Sequence, residues 1–132
     1  MKKKIENTSS AAGRRKTAVA RAYLREGKGQ IRVNGKDIKD YFSIPLQHLT
    51  VAAPIKLCEI ENRDFVINVK GGGPQGQTIA IRHAISRALV LENEDRRPML
   101  KEAGFLTRDP RGKERKKPGK PGARKSFQFS KR

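Results

Sequence analysis

The clearest alternation in the chain runs through K-T-A-V-A-R-A-Y-L, residues 16–24. Ala18, Ala20, Ala22 and Leu24 fall on one side, and Thr17, Val19, Arg21 and Tyr23 on the other. A period of two marks a strand with one buried face, and an alanine-rich face lets a helix pack closely. Gly27-Lys28-Gly29 reads as a turn. Ile31 and Val33 then flank Arg32 in a second short strand that stops at Asn34-Gly35. The two strands are near enough in sequence to pair antiparallel. A third, D-F-V-I-N-V-K over 64–70, sets Phe65, Ile67 and Val69 on one face.

Helical spacing fills most of the intervals. Ser43 is placed to cap a helix with Pro45 in its first turn, where no backbone N–H is needed. Leu46, Leu49, Ala53, Leu57 and Ile60 follow the helical period, and Pro54 predicts a kink or a break. A glycine loop, Gly71 to Gly76, leads into a second helix from about Gln75 to Leu91. Its expected buried stripe is Ile81, Ala84, Ile85, Ala88 and Leu91, with Arg82, His83, Ser86 and Arg87 on the polar side. A third helix is expected from Asp95 to Ala103, stopped by Gly104.

The ends of the chain lack such patterns. Residues 1–12 are polar and small and read as a loose arm. After Leu106, Pro110, Pro118 and Pro121 interleave with Gly112, Gly119 and Gly122, so 107–132 is expected to be extended and ordered only by a partner. This leaves one domain, 13–106, of the α+β class: a small mixed sheet with helices packed on one face, plus a long extended basic C-terminal tail.

Charge follows the same division. Lys and Arg number 31 against 13 Asp and Glu in 132 residues, a net +18. Residues 1–25 carry eight basic and one acidic side chain, 26–106 twelve and ten, and 107–132 eleven and two. The middle is balanced like an ordinary globular domain, while the flanks hold nearly all the excess. Such self-repulsion implies a polyanionic partner. A membrane surface is disfavoured, because the tail offers neither an amphipathic helix nor a lipidation site. Met1-Lys2-Lys3-Lys4 has no apolar run behind it, so a secretory signal is not expected. No apolar stretch is long enough for a membrane span. Cys58 is the only cysteine, which excludes an internal disulfide and suits a cytoplasmic protein.

Candidate chemistry points away from catalysis. Gly71, Gly73 and Gly76 satisfy G-x-G-x-x-G between a strand and a helix, as in dinucleotide-binding enzymes. After Leu91, however, no strand follows to complete that fold. Bare amides at a helix N-terminus still suit a phosphate, RNA phosphate included; the alternative is a tight turn with no ligand. His48 and His83 have no partner for nucleophilic or metal chemistry, and no cofactor or small-molecule substrate is implied. The Gly13-Arg14-Arg15-Lys16 cluster, followed at once by the first strand, reads either as a plain solvated charge run or as Arg14, Arg15 and Lys16 held in fixed register for phosphate contacts. The tail can span about 80 Å at about 3.1–3.3 Å per residue, with Phe127 and Phe129 near its tip to stack on bases or wedge into a crevice.

Six motifs in order carry a resemblance: G-R-R-K-T-A-V-A-R (13–21), V-K-G-G-G (69–73), A-I-R-H-A-I-S-R-A-L (80–89), A-G-F-L-T-R-D (103–109), E-R-K-K (114–117) and Q-F-S-K-R (128–132). Together they resemble the bacterial small-subunit ribosomal protein S9 family over residues 13–132. The resemblance implies a non-enzymatic structural protein of ribosomal-S5-domain-2-like fold, seated on 16S rRNA in the head of the small subunit beside other proteins of that head. It implies rRNA contacts from Arg14, Arg15, Lys16, Arg21, Lys70, Gly71, Gly72, Gly73, Gln75, Arg82, His83 and Arg87 in the domain. In the tail it implies them from Arg108, Arg111, Arg115, Lys116, Lys117, Lys120, Arg124, Lys125 and Phe127. The last residues, Ser130, Lys131 and Arg132, are implied to touch the anticodon stem-loop of peptidyl-site tRNA. A second RNA-binding class, the protein subunit of ribonuclease P, would carry an R-N-R triplet, which this chain lacks. Departures from the family pattern are Thr78-Ile79 after the glycine loop, Ala84 where Gly is common, and a tail poorer in arginine.

Overall fold

The computed structural model describes residues 7–130. Its strands are β1 (Ser9–Arg15), β2 (Ala18–Glu26), β3 (Ile31–Val33), β4 (Lys36–Asp37) and β5 (Arg63–Lys70). Its helices are α1 (Ile38–Tyr41), α2 (Pro45–Leu57), α3 (Pro74–Glu92) and α4 (Arg97–Glu102), the last preceded by a 3-10 turn at Glu94–Arg96. The strands form one mixed sheet in the order β1-β2-β5-β3-β4. β5 runs antiparallel to β2 and parallel to β3.

The alternation of β2 is borne out, with Ala18, Ala20, Ala22 and Leu24 fully buried. α3 lies on that face, and α2 lies against α3. The closest approach is at Gly13, where an added Cβ would run into the Ala80 carbonyl oxygen and the Ala84 amide of α3. Ala80 and Ala84 are both fully buried in this seam.

Several expectations are corrected. Ser9 to Ala12, read as loose arm, pair in register with Arg21 to Leu24, and Ala11 is buried under α3. Lys16 does not begin a strand; it turns the β1–β2 hairpin with φ +52°. β2 and β3 do not pair, because β5 lies between them and matches β2 along eight residues, burying Phe65, Ile67 and Val69. The residue before α2 is Ile44, with no side-chain cap from Ser43. Pro54 does not break α2; it is buried within the last turn. Leu91 is 65% exposed, at the end of a helix whose buried stripe otherwise matches the periodicity.

Candidate nucleic-acid interface

The sheet face opposite α3 is open to solvent and carries basic side chains in cross-strand rows. Arg14, Val19 and Lys70 make one row, Ala12, Arg21 and Asn68 the next, and Ser10, Tyr23, Val66 and Arg32 a third. Arg14, Arg21, Arg32 and Lys70 are exposed, and Tyr23 is half-buried among them. Arg25 follows Tyr23 on the same face and donates to Asn7 Oδ1 at 2.8 Å. The carboxylates nearby are engaged by backbone. Asp64 Oδ1 accepts from the amides of Lys28, Gly29 and Gln30 at 2.9–3.0 Å. Those bonds, that of Gln30 foremost, hold its pKa below the ordinary carboxylate value against some desolvation. Asp37 caps α1 through the Lys39 amide at 3.0 Å. Arg32 also acts on Asp64 through its charge and pairs across the strands with Asp37, whereas Arg14, Arg21 and Lys70 are in no ion pair among the described residues.

The row of Arg14 and Lys70 ends at a corner shared with the glycine loop. Gly71 has φ +75°, and an added Cβ there would stand 2.5 Å from the Thr17 carbonyl. The loop is thus folded tightly onto the β1–β2 turn, which a side chain would push away. Gly73 caps α3 ahead of Pro74 and is open, as are Lys16 and Gln75. Arg14, Lys16, Lys70, Gly71, Gly72, Gly73 and Gln75 are brought together here. Among the described residues no strand follows α3, so the G-x-G-x-x-G match stands outside a dinucleotide fold.

The polar flank of α3 differs from its expected form. Arg82 lies over the Phe105 ring at 5.1 Å, and its pKa is lowered by burial. His83 is buried at 9% exposure, with Nε2 against the Leu106 carbonyl at 3.3 Å. Burial, aided by Arg87, Arg108 and Arg82 and opposed by the Leu106 bond, pushes its pKa below 6.5. Ser86 is fully buried and bonds back to the Arg82 carbonyl. His83 is therefore covered by the chain after α4 and is not presented on an open polar flank. Arg87 is exposed and donates to the Ala12 carbonyl at 2.7 Å.

Arg15 also departs from expectation. It is 8% exposed and reaches the root of the C-terminal segment, donating through Nη1 to the Arg111 carbonyl at 2.6 Å. Past Arg111 the described residues form neither helix nor strand, with turns and bends over 118–124. Glu114 gathers Lys117 at 2.6 Å and Arg124 at 2.9 Å, so this stretch is not extended throughout. Arg108, Arg115, Lys116, Lys125, Phe127 and Ser130 are exposed, and Lys120 is half-buried. Lys131 and Arg132 lie outside the described residues. Arg25 and Arg32 were absent from the sequence-derived set, although alternation from Arg21 and around Arg32 places both on the open face.

Comparison with known proteins agrees with the charge pattern. The family model described as "Ribosomal protein S9/S16" matches residues 13–132. A protein of Porphyromonas gingivalis named "Small ribosomal subunit protein uS9" is 54% identical over 124 residues, covering 93% of this chain and 97% of its own length. Proteins of the same name from Azobacteroides pseudotrichonymphae and Anaeromyxobacter sp. (strain K) are 52% identical over 124 residues and 53% over 121. They cover 93% and 91% of this chain and 97% and 93% of their own lengths. With most of its length matched in this way, the chain belongs to the ribosomal protein S9 family, whose members are structural proteins of the ribosome and not enzymes.

Proposed function

We propose that this chain is a structural component of the small ribosomal subunit that binds 16S rRNA in the subunit head and sends its C-terminal residues to the peptidyl-site tRNA. The observation that carries the reading is the separation of charge from core: 107–132 holds eleven of the 31 basic residues, and its described part has no helix or strand. The open sheet face and the corner of Arg14, Lys16 and Lys70 supply a second basic surface, on the domain itself. In this reading the mixed α+β domain is of the ribosomal-S5-domain-2-like class and spans Ser9 to Leu106. Residues 107–132 form the RNA-binding tail, and neighbouring head proteins complete the surroundings.

Mechanistically, the tail's cations displace counterions condensed on RNA, which makes binding steeply dependent on salt. If about eight tail charges each meet a phosphate, affinity for small-subunit rRNA falls with a log–log slope of roughly −6 to −7. Truncation after Thr107 should remove most of that slope. A slope near −1 for the full chain would sink the RNA role of the tail. Removing only Lys131 and Arg132 should leave subunit assembly intact and weaken peptidyl-site tRNA binding; unchanged tRNA binding would overturn the terminal contact.

A further inference from the structure

Among the described residues Arg15 is the one Lys or Arg side chain that is buried, and what it holds is the beginning of the C-terminal segment. Nη1 donates to the Arg111 carbonyl at 2.6 Å, and Nη2 faces Asp109 Oδ2 at 3.5 Å. Asp109 is knotted to Arg111 in turn. It accepts from the Arg111 amide at 3.0 Å and from the Arg111 guanidinium at 2.8–3.1 Å. Bonds from Arg111 come first among the causes that hold the Asp109 pKa well below its ordinary range, so it stays ionised. Pro110 stiffens the link between the two residues.

Two attachments precede this knot: Phe105 beneath Arg82, and the Leu106 carbonyl on His83. The chain is therefore fastened at 105, 106 and 109–111, along α3 and the end of β1. From 112 to 116 the residues are exposed, and the partners of Glu114 belong to the segment itself.

We infer that Arg15 is a positioning residue: with Asp109 it fixes Arg111 as the point, and sets the direction, from which the basic segment leaves the domain. Its function rests on the RNA reading above, but the clamp is a property of the free protein. The planar fork of the guanidinium lets one arm bond the Arg111 carbonyl while the other faces Asp109 from a fixed direction, a geometry that a Lys ammonium on a flexible stem holds less well. Fixing the departure point lowers the ordering cost when the tail meets RNA.

The alternative role for Asp109 is simple screening, in which it only cancels positive charge. The two roles give opposite signs in Asp109→Asn, which raises the net charge by one above +18. Screening predicts tighter binding to deproteinised small-subunit rRNA. The clamp predicts weaker binding, by about three- to tenfold, despite the added charge. Arg15→Lys keeps the charge and should weaken binding similarly. Independently of RNA, spin labels on Lys56→Cys and Lys113→Cys, in full-length protein carrying Cys58→Ser, should give one narrow distance distribution. Both clamp variants should broaden it. A distribution already broad in the parent, widths unchanged in the variants, or equal or tighter RNA binding by Asp109→Asn would overturn the proposal. If Arg15→Lys lowers thermal stability globally, the surface substitution at Asp109 decides. A parent that ignores RNA would defeat the functional reading while the distances still judge the clamp.

Discussion

At Gly13 a single absent carbon sets the distance between helix and sheet. A Cβ there has no room beside the Ala80 carbonyl and the Ala84 amide, both of which are backbone and cannot rotate away. Gly13→Ala should therefore cost about 1–3 kcal/mol by overpacking, read as a lower Tm with the fold retained. His83 gives a residue-scale pH effect. Its folded pKa lies below 6.5, so the unfolded chain takes up a proton that the folded chain refuses. The stability it contributes is full above about 6.5 and falls as pH drops through that value toward the folded pKa. Denaturant titrations at pH 7.5 and 5.5 should show a smaller acid loss in His83→Gln than in the parent. Neither residue's role was legible in the sequence. Gly13 reads there as part of a basic cluster, and His83 sits at a polar helical position covered by a segment distant in the chain.

Among the elements, α2 shows where periodicity loses its direction. Leu46, Leu49, Ala53 and Leu57 keep helical spacing, yet Leu46 and Leu49 are 69% and 55% exposed, while Val51 and Pro54 face the core. Its polar residues Gln47, His48, Thr50 and Lys56 are spread around the helix, so they mark no single outer face and the pattern does not say which stripe is buried. Leu46→Gln and Leu49→Gln should shift unfolding free energy by less than about 0.5 kcal/mol, and Val51→Ala should cost about 1–3 kcal/mol. Equal losses from all three would mean that the stripe is packed in solution. By contrast the extents of α3 and β5 were legible almost to their ends, β5 from its strict alternation and α3 from the stripe of Ile81, Ala84, Ile85 and Ala88. His83 and Ser86, on the expected polar side of α3, are nonetheless buried too. The pairing of β5 with β2 was not, since a strand's period fixes its faces but not its neighbours.

For the whole molecule, charge divides the sequence into a balanced middle and two basic flanks. Yet the N-terminal flank runs through β1 and most of β2 and belongs to the sheet, which charge alone does not reveal. The attachment of the tail was hidden, because Arg15 and Asp109 lie far apart in sequence and are each surrounded by residues of ordinary surface type. The sheet order has a consequence for synthesis. The central pair joins residues 18–26 to residues 63–70, and β3 finds its long neighbour only when β5 arrives. A nascent chain that has emerged only through α2 owns two small hairpins and no sheet centre, and isolated hairpins are marginal in water. The sheet therefore stays open until β5 clears the exit of the machine making it, and its buried face stays uncovered until α3 follows.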